Sequence, residues 1–402
     1  MIFVFYFFAA VLIWLSYRSF RGGIDYLRYF RAELAKPPSD FTPFTTIIAP
    51  CRGVDEGMSE NLAALFDQDY PEYEILFVVD DAGDAAVSVI EEEMNRRDTE
   101  NSPDARLVIA TKATDCSQKV ANLREAVLHV SARSRVFVFV DSDARPAKNW
   151  LRSLVAPLEN EGAGATTGYR WFISEKPTFA TEINSVWNAS IASALGANTR
   201  SNFCWGGSMA MRRDTFERIG MSEKWRGTLS DDFAVTRAMN EAKLPIIFVP
   251  LAMCASIENC SFREMLEFTT RQMKITRVYA PKLWLLSLIG SGLFNTVMLA
   301  AILIVIFNRQ NLMSVAVAIT TLFLVGIFSV GKAYLRLKAV RLTLTTHDIQ
   351  LRRQIFAQLT LFLFAPLIFF YNSVAALLSR RMTWRGTTYE LKSPSETVII
   401  TG

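Results

Sequence analysis

Four long apolar blocks limit what this chain can fold into. Residues 1–17, MIFVFYFFAAVLIWLSY, carry no charged side chain. That length sits near the short limit for a helix that crosses a bilayer, about 17–25 residues. Trp14 and Tyr17 suit a membrane interface, and Arg18, Arg21, Arg28 and Arg31 follow at once. Basic flanks stay on the cytoplasmic side. A cleaved signal peptide would show a basic start and a small-residue cleavage site, and neither is clear here. Leu283–Phe307, Leu312–Val330 and Ile355–Leu378 are the other three blocks. The segment 332–354 between the last two is basic and is expected in the cytoplasm, which gives an in-out-in hairpin after a cytoplasmic middle region. The last block holds Pro366 in its middle. If it spans, the basic tail lies outside, against the charge rule. A re-entrant or interfacial hairpin is the other reading.

Between these blocks the sequence is that of an ordinary globular domain. Hydrophobic residues reach 51% of the whole and charged residues only 20%, but the apolar excess sits at the two ends. A net charge of +4 gives no reason to expect nucleic acid as a partner. Five cysteines without CxxC spacing read as reduced thiols in a cytosol-like compartment. His129 and His347 are too far apart in sequence to point to zinc.

The middle region alternates short apolar runs with amphipathic ones. TTIIAP (45–50), YEILFVVD (73–80), RLVIA (106–110) and RVFVFV (135–140) read as strands; residues 59–68, 85–97 and 117–132 read as helices. This alternation predicts an α/β domain with a mostly parallel sheet. Ligands of such sheets collect at the carboxyl ends of the strands. Asp80, Asp81, Asp141 and Asp143 all follow strand ends. VDSD at 140–143 taken alone is an ordinary turn, since Asp and Ser bond local backbone. A second acidic pair on the same sheet edge makes a site the better reading. A third pair, Asp231-Asp232, opens a helix-like run; Asp231 could cap that helix while Asp232 faces a cleft.

Carboxylates at strand ends are the residue type that holds Mg²⁺ or Mn²⁺ against a diphosphate. Such an ion also stabilises a departing phosphate. The first acidic pair could instead hydrogen-bond a base or ribose, and a separate carboxylate could deprotonate an acceptor hydroxyl. Sugar transfer from a nucleotide diphosphate would use all three roles.

At this point the chain resembles the ceramide glucosyltransferases and their bacterial relatives, membrane-bound inverting glycosyltransferases of GT-A fold. The resemblance is carried by PCRGVD at 50–55, NLAALFDQDYPEYEILFVVDD at 61–81, RLVIATK at 106–112, KVANL at 119–123 and VDSD at 140–143. GGSMAMRRD at 206–214, SDDFAV at 230–235, RQMKITR at 271–277 and the tail MTWRGTTYEL continue it in order. It implies a Rossmann-like, mixed and mostly parallel GT-A sheet plus transmembrane helices. The boundaries expected are an anchor at 1–17, a basic linker at 18–40, a catalytic domain at 41–260, an interfacial amphipathic helix at 261–282, a transmembrane or re-entrant region at 283–378 and a tail at 379–402.

The resemblance further implies that Asp80 and Asp81 contact the uridine nucleotide, that Pro50, Arg52 and Lys119 line its pocket, and that Asp141 binds the metal with Asp143 beside it. Asp232 becomes the catalytic base, and Arg271 and Lys274 belong to the Arg-rich motif. There the family's (Gln/Arg)-x-x-Arg-Trp is changed. Lys274 replaces Arg and loses its bidentate fork, and Ile275 replaces Trp. Arg277 is a possible substitute for the lost fork. The expected partners are a UDP-sugar, a lipid acceptor (ceramide, hopanoid or similar, as in glycolipid and sphingolipid biosynthesis) and the membrane, with the catalytic domain on the cytoplasmic face of a bacterial inner membrane. A processive polysaccharide synthase is the alternative, and a non-catalytic membrane scaffold a third. Few membrane segments and the missing Trp disfavour the former. Retention of all three acidic motifs disfavours the latter.

Overall fold

The computed structural model describes residues 2–97 and 102–401. It divides into two compact units, one formed by residues 1–31, 176–193 and 259–379, the other by 32–175, 194–258 and 380–402.

The second unit is built on a seven-stranded sheet. Its strands are β1 (Thr45–Pro50), β2 (Tyr73–Val79), β3 (Asp104–Ile109), β4 (Val136–Phe139), β5 (Ala165–Thr167), β7 (Met209–Arg212) and β8 (Ile246–Phe248), in the order β3-β2-β1-β4-β7-β5-β8. Strands β6 (Arg170–Ile173) and β9 (Cys254–Ile257) form a separate parallel pair. β1 pairs in parallel with both β2 and β4, while β7 runs antiparallel to β4 and β5. This is the mixed, mostly parallel α/β class that the alternating pattern predicts. Both faces of β1, β2 and β4 are buried, so these strands are apolar almost throughout instead of alternating. The chain winds from β1 outward to β3 and then returns to place β4 on the other side of β1. The order therefore reverses between β1 and β4, which is where open α/β sheets bind ligands.

One buried acid ties this half of the sheet together. Glu74 on β2 is almost fully buried and accepts from the Thr46 hydroxyl on β1 (2.6 Å) and the Ser131 amide (2.8 Å). It also pairs with Arg106 on β3 at 2.6 Å. The helix at 117–132 is shorter than expected: it runs over Gln118–Ala126 and gives way to turns before β4. The tail is not irregular. Strands β10 (Arg381–Trp384), β11 (Thr387–Ser393) and β12 (Glu396–Thr401) make a three-stranded antiparallel sheet. Tyr389 and Leu391 on β11 are buried, and the tail belongs to the α/β unit.

The first unit is helical. Ile2–Leu34, Pro281–Phe307 and Leu312–Val340 are long and apolar enough to cross a membrane. The first helix continues without a break through the basic flank. Phe5, Ala9 and Leu12 pack with Val297, Met298, Ala301, Ala318 and Val325 into one core. The fourth apolar block is broken. Ile355–Leu363 and Ala365–Leu378 meet at 56°, with Pro366 in the first turn of the second piece. Proline fits there because a first-turn N–H has no helical acceptor to lose. A bend of this size fits a broken span or a re-entrant loop. Polar side chains join the helices: Arg336 donates to Gln358 (2.9 Å), which donates to Ser185 (3.1 Å). Hydrogen bonds of this kind hold helices together where lipid removes the hydrophobic drive.

Replacing Glu74 with Ala strips the buried Thr46 hydroxyl and Ser131 amide of their acceptor. We expect a loss of roughly 3 kcal/mol, read as a lower unfolding midpoint of the detergent-solubilised protein.

Candidate active site

The carboxyl edge of the sheet gathers the acidic motifs around one lysine. Ser117 caps the helix Gln118–Ala126 by accepting from the Val120 amide, which puts Lys119 in the first turn. A cation there opposes the helix dipole. Two carboxylates offset that. Lys119 Nζ lies 2.6 Å from Asp141 Oδ1 and 3.0 Å from Asp231 Oδ1. Burial disfavours the ammonium, but Asp141, Asp231 and Asp232 together outweigh it and raise the Lys119 pKa. Lys119 is therefore a fixed positive charge.

Asp141 and Asp143 flank a real turn, since the Ala144 amide donates to the Asp141 carbonyl at 3.1 Å. The local reading of VDSD as a turn holds. Asp143 Oδ1 is buried without a hydrogen-bond partner. Burial, then the neighbouring Asp141, pushes the Asp143 carboxyl above the usual range. Arg170, on β6, opposes that rise by its charge.

The third acidic pair divides its work differently from a simple cap. Ser230 occupies the cap position of Asp231–Glu241, and both acids lie in the first turn, where the dipole favours negative charge. Asp231 is 3% exposed and faces Lys119, with Oδ2 unpartnered. Asp232 is half-buried. Its Oδ1 accepts from the Phe233 amide (2.7 Å) and the Ser230 hydroxyl, and its Oδ2 from the Gly206 amide (3.4 Å). Gly206 has no room for a side chain. A Cβ there would lie 2.3 Å from Asp231 Oδ2 and 2.7 Å from Lys119 Nζ.

The other expected residues sit around this edge or apart from it. Pro50 ends β1, and the next amide, Cys51, donates to Val78. Arg52 donates to the Thr387 hydroxyl at 3.4 Å. Asp84 holds the adjacent loop by accepting from Gly53 and caps the helix Ala85–Arg96. Asp80 is buried at the end of β2 and pairs with Lys112 at 2.7 Å, with Oδ1 unpartnered. Asp81 is exposed. The Gly83 amide, then Lys112, lowers its pKa. Arg271 and Lys274 lie in the helical unit, on Phe262–Tyr279. Arg271 stands over the Phe268 ring at 5.4 Å, and burial lowers the Lys274 pKa. Ile275 is buried. Arg277 does not stand free to replace the lost arginine: it donates to the carbonyls of Ala376 (2.6 Å) and Leu377 (3.0 Å) at the end of Ala365–Leu378. Sequence reasoning missed Asp231, Asp55, Arg170 and Arg385 as members of the edge. For Arg385 the signal was the TWRG of the tail.

The residues fit a divalent ion of the Mg²⁺ or Mn²⁺ class. Such ions commonly take one or two protein carboxylates and complete their shell with substrate phosphate and water. Asp141 and Asp143 offer hard oxygens, one of them buried and unpartnered. Among the described residues no group of three His, Cys, Asp or Glu could hold an ion by itself.

The model of the family described as Glycosyl transferase family 21 matches residues 7–397. The chain belongs to this family, that of the ceramide glucosyltransferases. It is a glycosyltransferase. Among solved structures, the mannosyltransferase PcManGT from Pyrobaculum calidifontis in complex with GDP-Man and Mn2+ is similar at 17% identity. The match covers 92% of this chain and 98% of that one, with a TM-score of 0.45. GalNAc-T7 with UDP, GalNAc and Mn2+ is similar at 11% identity over 59% of this chain and 49% of that one, with a TM-score of 0.40.

Gly206→Ala tests the edge directly. The atoms it would strike are the ends of flexible side chains, so the fold accommodates it while the Lys119 cluster shifts. Transfer should fall by about tenfold or more, because a displacement near 1 Å costs up to about 100-fold. The unfolding midpoint should hardly move.

Proposed function

We propose that this family 21 glycosyltransferase moves a sugar from a UDP-sugar to the hydroxyl of a membrane lipid, with inversion at the anomeric carbon. The observation that carries this reading is the Asp141–Lys119–Asp231 cluster at the carboxyl edge, with Asp232 beside it. The donor's nucleotide lies along the ends of β1 and β2, against Pro50, Arg52, Asp80 and Asp81. Asp141 and Asp143 hold a divalent ion, which when bound neutralises the diphosphate as it leaves.

Asp232 is the better base of its pair. Asp231 is sealed against Lys119, where no acceptor hydroxyl reaches it. Asp232 is half-buried, and its donors at Phe233, Ser230 and Gly206 hold the carboxylate in one orientation. It takes the proton of the acceptor hydroxyl, and the oxygen attacks the anomeric carbon opposite the departing UDP. Arg271 and Lys274, on the helix Phe262–Tyr279 of the helical unit, keep the positive charge of the Arg-rich motif. A lipid acceptor agrees with the three long apolar helices, and the basic flanks agree with a catalytic unit on the cytoplasmic side.

The test is incubation of membranes carrying the protein with a panel of labelled UDP-sugars and GDP-mannose, followed by mass spectrometry of the lipid extract. We expect one sugar on an organic-soluble product. Label from GDP-mannose alone would sink the UDP donor, and a water-insoluble polymer would favour a polysaccharide synthase. Asp232→Asn keeps an oxygen for the Ser230 and Phe233 donors. It should lower transfer by about 10²- to 10⁴-fold while UDP binding persists. Turnover that survives it would remove Asp232 as the base.

A further inference from the structure

β10 and β11 are joined by a two-residue turn, Arg385-Gly386, closed by the Trp384–Thr387 pair. Both turn residues have positive φ, 49° for Arg385 and 81° for Gly386. Positive φ at both central positions is the requirement of a type I′ turn, whose preferred sequence is Asn-Gly or Asp-Gly. Arginine in the left-handed region is uncommon and strained, and strain of this kind collects at functional sites. Local turn chemistry therefore does not explain the side chain at 385.

Its surroundings do. One terminal nitrogen of Arg385 donates to Asp55 Oδ2 at 2.6 Å, and that same oxygen accepts from the Ser142 hydroxyl at 3.5 Å. Ser142 is the residue between Asp141 and Asp143. Both of those carboxylates also act on Arg385 by their charge. The guanidinium thus stands at the acidic motif of β4, although it comes from the far end of the chain. The tail is seated there by further contacts. Arg52 donates to Thr387, the Gln118 amide donates to the Tyr389 hydroxyl (3.4 Å), and Ser395 presses so close to Gly227 that no Cβ would fit.

Two other cations beside the acidic motif of β4 are already committed. Lys119 is spanned by two carboxylates and 15% exposed. Arg170 is half-buried against the Phe172 and Trp205 rings. Arg385 is 40% exposed and spends a single nitrogen on Asp55. Its remaining donors form the planar fork that matches phosphate oxygens.

We propose that Arg385 is a donor-binding residue whose guanidinium contacts the terminal phosphate of the nucleoside diphosphate, and that Asp55 holds it ready at the carboxylate edge. This rests on the nucleotide-sugar reading above and adds a recognition element from the tail. The rival explanation is that the Arg385–Asp55 pair merely staples the tail to the sheet.

The experiment measures binding of UDP and of UMP to the full-length protein in detergent with Mn²⁺, together with the GDP/GMP pair. Arg385→Asn restores the preferred Asn-Gly turn, so the hairpin keeps its fold while the cation is lost. It should weaken UDP by about 10- to 100-fold, as for one charged hydrogen-bonded contact, and leave UMP unchanged. Arg381→Ala, on the same hairpin and paired to Glu390 at 3.3 Å, should change neither. Asp55→Asn keeps an oxygen for the guanidinium but loses the charge that holds it ready, so it should weaken UDP by clearly less than Arg385→Asn does. An unchanged UDP-to-UMP ratio in Arg385→Asn, or Asp55→Asn weakening UDP as much as Arg385→Asn does, would overturn the proposal in favour of a staple. Wild-type protein that binds GDP instead of UDP would sink the uridine assignment, and the GDP-to-GMP ratio would then judge Arg385. Binding of no nucleoside diphosphate at all would overturn both readings.

Discussion

The carboxyl edge depends on one bridge, Asp141–Lys119–Asp231. Three stretches far apart in sequence meet there: the start of a helix after β3, the end of β4 and the start of the helix Asp231–Glu241 that precedes β8. Each partner would be unfavourable alone. Two carboxylates close together repel, and an ammonium in the first turn of a helix faces the positive end of its dipole. Together they neutralise one another in a site largely closed to water. Removing one partner from such an arrangement leaves a buried charge uncompensated. The glycine at 206 follows from the same constraint, because the bridge fills the space a side chain would need. The bridge also fixes where Asp232 stands, one residue on from Asp231.

Much of the edge could be read from sequence because parallel strands are buried on both faces. Such strands are apolar runs, and the polar residue that ends each run marks the sheet edge, as at Asp80 and Asp141. Which member of an adjacent acidic pair points where was not legible. Neighbours on a helix project about 100° apart, and the phase is set by the cap. Ser230 takes the cap, so Asp231 turns to Lys119. Helix ends were blurred for a similar reason: nothing in LHVSARS announces that the helix stops at Ala126. The role of the tail was hidden by distance along the chain. No local pattern relates Arg385 to Asp55, and only the return of β10–β12 to the α/β unit joins them.

In the helical unit the apolar blocks were plain, but their interruptions were not. Pro366 marks the start of a helix, not a kink within one, and the bend at 56° lies just before it. Polar residues inside these helices have structural partners: Asn372 accepts from Thr270 (2.9 Å) and Thr269 (3.4 Å), and Trp284 donates to Ser373 (3.1 Å). Helices long and apolar enough to cross a membrane need such fixed points, since apolar side chains in a bilayer do not drive one another together.

The departure at Lys274 and the arginine at 385 bear on one question. A diphosphate leaving group is best held by planar forks, and the family's Arg-rich motif ordinarily supplies one. Here Lys274 keeps the charge as a point and Ile275 is buried. Arg277, three residues on from Lys274, is spent on the carbonyls that end the helix Ala365–Leu378. In the α/β unit an arginine with open donors stands on the hairpin turn, in a backbone conformation that arginine does not favour. The turn alone favours Asn-Gly or Asp-Gly. Holding the turn in strain has a physical reason if the fork at 385 meets the phosphates.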